Sequence, residues 1–266
     1  TCTYKRMVNN DPVEYAEVPW SRWLSSVSEC EWAGIFCDDS SQFRSIDLSK
    51  SKAALHWFLT SESVPFAAGI NMTGSFPEGI TKFSFLQSLN LMLNNLEGTL
   101  PDSIVEMPHL LSLELHGNQF TGTLPEAWYQ SRSLQRINVG FNLLTGTLSS
   151  NIGLLTDIKG FYLFQNQFTG TLPDEIGALR SATYLRLDRN KFRGTIPTTI
   201  GNLREMYDLR LFRNEFSGTI PTEIGLLTDL GNLRLNTNFL TGSLPEEIYN
   251  CTNMYWISVQ NNMLTG

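Results

Sequence analysis

The 266-residue sequence predicts an α/β solenoid, a right-handed curved superhelix with a parallel concave β-sheet. Three observations predict it. Asn94, Asn118, Asn142, Asn166, Asn190, Asn214, Asn238 and Asn262 recur at a 24-residue step without slippage. Two apolar columns keep the same step, one running from Leu89 to Ile257 and the other, two residues later, from Leu91 to Val259. A glycine column runs from Gly98 to Gly242, each member followed two residues later by Leu or Ile and then usually by Pro. Columns held in phase mark stacked units, each of which buries its apolar face only against its neighbours.

Residues 1–42 read as an N-terminal cap, 43–78 as an irregular first repeat, and 79–266 as regular repeats. Within a unit, an alternation such as Leu89-x-Leu91 is a short strand with one buried face, and equal steps stack successive strands in parallel. The Asn column answers a bonding problem. At the turn leaving each strand the backbone would be unpaired, and a carboxamide supplies donors and an acceptor together. The glycine permits a tight turn, and the proline restricts the segment after it. Ile80, Ile104, Trp128, Ile152, Ile176, Ile200, Ile224 and Ile248 are expected to fill the far side of the core. The last unit stops mid-repeat at Leu264-Thr265-Gly266, so further repeats or another domain are expected to follow.

The motif LxxLxLxxNxLxGxLPxxIGxL, clear in the stretch from Leu110 to Pro125, resembles the plant-type leucine-rich repeat over roughly residues 43–266. Cys30-Glu31-Trp32-Ala33-Gly34-Ile35-Phe36-Cys37 is similar to the C-x-W-x-G-x-x-C of that family's cap, and Trp20 and Trp23 match aromatic positions of its cap helix. The resemblance implies a disulfide between Cys30 and Cys37 and therefore an oxidising, extracellular or cell-surface compartment. Two departures stand out. The strand at Ile46-Asp47-Leu48 meets its glycine at Gly74 instead of near position 55, an insertion of about 19 residues that includes residues 53–59; Ser149 replaces one of the prolines.

Composition narrows the function. The chain is 41% hydrophobic and 17% charged with a net charge of −7, which argues against a general nucleic-acid binder. No uninterrupted apolar run approaches the roughly 18 residues of a membrane span. The first residue is Thr1, so the sequence reads as a processed or excerpted chain, and a membrane anchor outside it stays open. Cys251 lies in an apolar column and reads as a small buried hydrophobe, while Cys2, about 40 Å away on stacked coils, is out of disulfide reach. Asn71 and Asn250 head glycosylation sequons. Nucleophile elbow, HExxH, CxxC pair, P-loop and GxGxxG are all missing, and three histidines with no cysteine cluster offer no metal site. The reading is therefore a non-enzyme without metal or cofactor.

Binding is the expected role, on the outward strand positions that core packing leaves free. Those columns bring five arginines, Arg186, Arg189, Arg210, Arg213 and Arg234, onto three adjacent coils beside Tyr162, Phe164 and Phe212. Arginines about 5 Å apart repel by somewhat under 1 kcal/mol per pair in water. Either Asp188 and Asp208 neutralise them locally, or an acidic ligand does so through bidentate guanidinium contacts. The family resemblance implies a protein, peptide or acidic glycan ligand, since similar members include receptor-kinase ectodomains and polygalacturonase inhibitors. A second reading comes from Thr99, Thr123, Thr147, Thr171, Thr195 and Thr219, whose hydroxyls would stand about 4.8 Å apart in a flat array, as in some ice-binding solenoids. A third is a structural subunit of an extracellular assembly, since open solenoid ends favour stacking.

Overall fold

The structure is a computed structural model. It describes residues 72–265 in full, and the strands Cys2–Tyr4, Met7–Val8, Asp11–Pro12, Ala16–Val18, Ile35–Cys37 and Phe43–Asp47 by their backbone. Cys30, Asn71, Trp20, Trp23 and residues 53–59 lie outside the described residues, as does the side chain of Cys37.

Among the described residues, a ten-stranded sheet lines one face of a solenoid. Its strands follow chain order from Phe43–Asp47 to Trp256–Ser258, all parallel, with Ile35–Cys37 added antiparallel at one edge. Pairing holds the 24-residue step, as in Leu113 opposite Ile137 and Leu209 opposite Leu233. Ile46 stands directly opposite Leu89 although 43 residues separate them. The 19 residues beyond one repeat step therefore leave the sheet unbroken. Each coil returns through a five-residue 3₁₀ helix, from Glu78–Lys82 to Glu246–Asn250. A proline precedes each of these helices except Ser150–Leu154, where Ser149 stands instead and its Oγ accepts from the Asn151 N–H at 3.2 Å. The serine thus supplies as a cap what the proline supplies as a fixed φ.

The core is a stack of single-residue columns. The strand leucines and the far-side isoleucines are buried throughout the middle coils, and Trp128 fits the isoleucine column because its Nε1–H reaches the Pro101 carbonyl at 2.7 Å. Phe168, Phe192 and Phe216 form a third column of parallel rings with centroids 6.0 and 6.3 Å apart. Cys251 is buried, donates its S–H to the Ile224 carbonyl, and has its thiol pushed up by burial, as an apolar position demands.

The Asn ladder works across coils. The Oδ1 of Asn190 accepts from the Phe168 N–H of the preceding coil at 3.0 Å. Its Nδ2 donates to the Leu163 carbonyl of that coil and to its own coil's Leu187 carbonyl, at 3.0 and 3.1 Å. The same three bonds recur at Asn118, Asn214 and Asn238. Each of these strand-end carbonyls thereby receives two carboxamides, one from its own coil and one from the following coil, as Leu163 does from Asn166 and Asn190.

The glycine column has a steric cause as well as a conformational one. Gly146 holds φ at +89°, and a Cβ there would lie 2.7 Å from Cγ2 of Thr123 on the preceding coil. The exposed threonines Thr99, Thr123, Thr147, Thr171, Thr195 and Thr219 all place their methyls over the next coil's glycine in this way. A parallel column hydrogen-bonds instead: Thr121, Thr145 and Thr169 each donate to a glycine carbonyl one coil back at 3.2 Å. Contacts between coils thus supply a structural reason for both threonine columns.

Candidate functional site

The concave sheet offers a groove of about 650 Å³, lined at one end by Asn90, Met92, Glu114 and His116 and at the other by Tyr184, Arg186, Asp208 and Arg210. Residues one apart in a strand face opposite ways, so the positions flanking each buried leucine all point into this face. Arg186, Arg210 and Arg234 occupy one register position on three adjacent parallel strands. Arg189 and Arg213 lie just past the strand ends, exposed, in left-handed backbone at φ 57° and 53°.

Tyr162 and Phe164, expected as contact rings, line the groove but are only 6% and 7% exposed, and each lies beneath a guanidinium. The Arg136 guanidinium lies 4.4 Å from the Tyr162 centroid, and that of Arg186 lies 4.1 Å from Phe164. Phe212, half-buried, carries Arg189 at 5.7 Å, and Trp256 carries Arg234 at 5.2 Å. Each ring removes water from one side of a planar cation, which holds the other side for polar contacts.

The five arginines are not equivalent. Arg210 grips Asp208 with two nitrogens, Nη2 to Oδ2 at 2.7 Å and Nε to Oδ1 at 2.9 Å, and the Asn232 amide donates to the same carboxylate at 2.9 Å. Burial pulls the Arg210 pKa down, but the bonds to Asp208 more than offset it and leave it raised. Arg186 has only Nε at 3.5 Å from Asp188 Oδ1. Burial dominates there, lowering the Arg186 pKa and raising that of Asp188 against the pull of its arginine neighbours. Arg234 is oriented by Nε donating to the side-chain Oδ1 of Asn232 at 3.1 Å. Among the described residues, Arg189, Arg213 and Arg234 make no ion pair.

A second polar network fills the other end of the groove. Arg136 pairs with Glu114 through Nε and donates from Nη1 to the Tyr162 hydroxyl at 2.8 Å. The Asn138 amide donates to Glu114 Oε2 at 2.7 Å and lies 2.9 Å from His116 Nδ1. Burial raises the Glu114 pKa, but the bonds from His116 and Arg136 outweigh it and leave the carboxyl below its usual range. Sequence reasoning passed over Arg136, Tyr184, Asn232 and Trp256 as site residues. All four lie in the column immediately before the first buried leucine, and the alternation that exposes the next two outward columns exposes this one equally.

The strained turn positions give a test. Glycine at position 213 removes the left-handed penalty of about 1–2 kcal/mol and returns part of it as chain entropy. Arg213→Gly is therefore expected to raise unfolding stability by about 0.5–1 kcal/mol in urea titrations. A loss of stability would show that the exposed Arg213 side chain makes a contact the fold depends on.

Model matches and solved structures agree with this architecture. Residues 84–144 and 181–203 match family models described as leucine-rich repeat. No curated protein sequence matches the chain. The structure is similar to the leucine-rich-repeat ectodomain of the Arabidopsis receptor kinase HAESA in complex with an N-terminally extended IDA peptide hormone, at 29% identity and a TM-score of 0.79, over 92% of this chain and 38% of that one. It is similar to the plant peptide hormone receptor RGFR1 in complex with RGF2, at 31% identity and a TM-score of 0.71, over 73% of this chain and 31% of that one. A plant ice-binding protein shares the fold at 22% identity and a TM-score of 0.66, over 89% of this chain and 78% of that one. The chain thus spans about a third of the length of the receptor ectodomains it matches. Repeat motif, parallel sheet and these likenesses together make the chain a plant-type leucine-rich-repeat solenoid.

Proposed function

We propose that this solenoid is an extracellular recognition module whose concave face takes an acid-bearing peptide or protein segment. The observation that carries the reading is the in-register row of Arg186, Arg210 and Arg234, each half-buried, with Arg186 and Arg234 stacked on rings. Such arginines lose less entropy on binding than free ones, and arginine with tyrosine and tryptophan is the residue set that dominates binding energy at interfaces. The two receptor ectodomains above, solved with peptide hormones, support a peptide over a glycan as the ligand class.

Binding of acidic peptides with free carboxyl ends, measured by calorimetry at low and moderate salt, tests the proposal. Arg210→Ala with Arg213→Ala is expected to lower affinity by 10-fold or more, with a reduced salt dependence in the remainder. Unaltered affinity in the double variant would move the ligand off this face.

A further inference from the structure

Asp188 stands out among the charged groups of the concave face. It is 1% exposed, its Oδ2 has no hydrogen-bond partner, and its column neighbours one coil to either side are Phe164 and Phe212. Its one ion pair, to Arg186, is long at 3.5 Å, whereas Asp208 one coil away is held by two bonds shorter than 3 Å from Arg210 and by Asn232. A buried carboxylate whose one ion pair is long and whose Oδ2 has no partner is a costly way to neutralise an arginine. It is a cheap place to put a proton.

We propose that Asp188 is a proton-operated counter-charge: ionised, it holds Arg186, and protonated, it releases Arg186 to an anionic group of the ligand. The step is Asp188 carboxylate plus one proton from solvent giving the neutral acid, which adds one positive charge to the arginine row. The inference rests on the concave-face reading above. It names the residue on which that reading becomes pH-dependent, and the geometry has support from burial, which raises the carboxyl's proton affinity.

The charged groups around Asp188 favour this assignment. Arg186 on its own strand and Arg210 on the next act on it directly. Arg210 is already committed to Asp208, which also acts on Arg186. The preceding coil offers Phe164 and Gln165, neither titratable, and Tyr162, whose hydroxyl accepts from Arg136, while the following turn carries Arg213. Arg189, beside Asp188 in the chain, lies over Phe212. His116, Glu114 and Arg136 form their own network toward the other end of the groove.

The test uses a dye-labelled dextran sulfate oligomer, whose sulfate esters stay ionised across the range, titrated into the full chain from pH 8 to pH 4.5. Wild type is expected to bind about 5–10-fold more tightly at the acid end, and Asp188→Asn to bind at pH 8 as tightly as wild type does at pH 4.5, with little pH dependence. An Asp188→Asn variant that keeps the wild-type slope overturns the proposal, and a slope abolished by His116→Gln moves the sensor to His116. Wild-type binding that is flat with pH but lost in Arg186→Gln and Arg210→Gln leaves the concave reading standing and removes only the switch. Binding that is absent, or indifferent to both arginine variants, overturns the concave reading as well. Should Asp188→Asn fail to fold, carbon NMR of the wild-type carboxyl replaces it: an Asp188 midpoint in the ordinary carboxylate range overturns the proposal.

Discussion

Asn190→Ala is expected to lower unfolding stability by about 3–5 kcal/mol, more than a single side-chain truncation at a buried polar site usually costs. The N–H of the fully buried Phe168 loses its acceptor, which costs about 1–3 kcal/mol. The Leu163 and Leu187 carbonyls each keep a second carboxamide, from Asn166 and Asn214, so they contribute only the loss of two ordinary bonds, about 1 kcal/mol each. Asn190→Asp tests the account more sharply. It keeps the acceptor for Phe168 but faces two carbonyls with a carboxylate, so it is expected to cost at least as much at pH 7. Urea denaturation measures both, and a loss below about 1 kcal/mol in Asn190→Ala would mean that water enters the turn and that the ladder is not what closes the coils.

Phe192→Ala is expected to cost about 3–5 kcal/mol. Phe192 is fully buried, stacked between Phe168 and Phe216, and its truncation opens a cavity in the middle of a column. Neighbouring coils cannot collapse into the space, because the strands on one side and the Asn ladder on the other fix their separation. Phe192→Leu, which restores the residue type at positions 144 and 240 of the same column, is expected to recover most of the loss. Thermal melts followed by circular dichroism compare the three proteins. Equal melting points for wild type and Phe192→Ala would show that stability resides in the other columns. In a linear array the damage is also expected to stay local, lowering the cooperativity of unfolding near coil 192.

Asn190 and Ser149 were legible from the sequence to different depths. Asn190 belongs to a column whose period and chemistry together demand a turn-closing carboxamide, and the structure supplies the three bonds. Ser149 was legible only as a departure, since a missing proline does not announce that a hydroxyl will cap the helix in its place. The concave arginines were legible by column as well, because alternation tells which residues leave the core. Their inequality was not. Arg186 and Arg210 carry the same residue type at the same register position, each with an aspartate two residues away, Asp188 after the one and Asp208 before the other. Reversing the order of the pair along the chain leaves one aspartate gripped by two nitrogens and the other held by a single long contact to its arginine.

What the sequence by itself determined is everything that repeats: the strand step, the buried columns, the asparagine ladder and the face left outside the core. Repetition makes these legible because each coil meets a copy of its own environment, so the period carries the contact. Only the tertiary structure decided what varies from coil to coil: which cation meets which carboxylate, that Tyr162 and Phe164 lie beneath guanidiniums, and that Asp188 is closed off from solvent. Those outcomes depend on side chains of unlike shape reaching across a 24-residue step, where a difference of half an ångström between 3.0 and 3.5 Å separates a firm bond from an idle one.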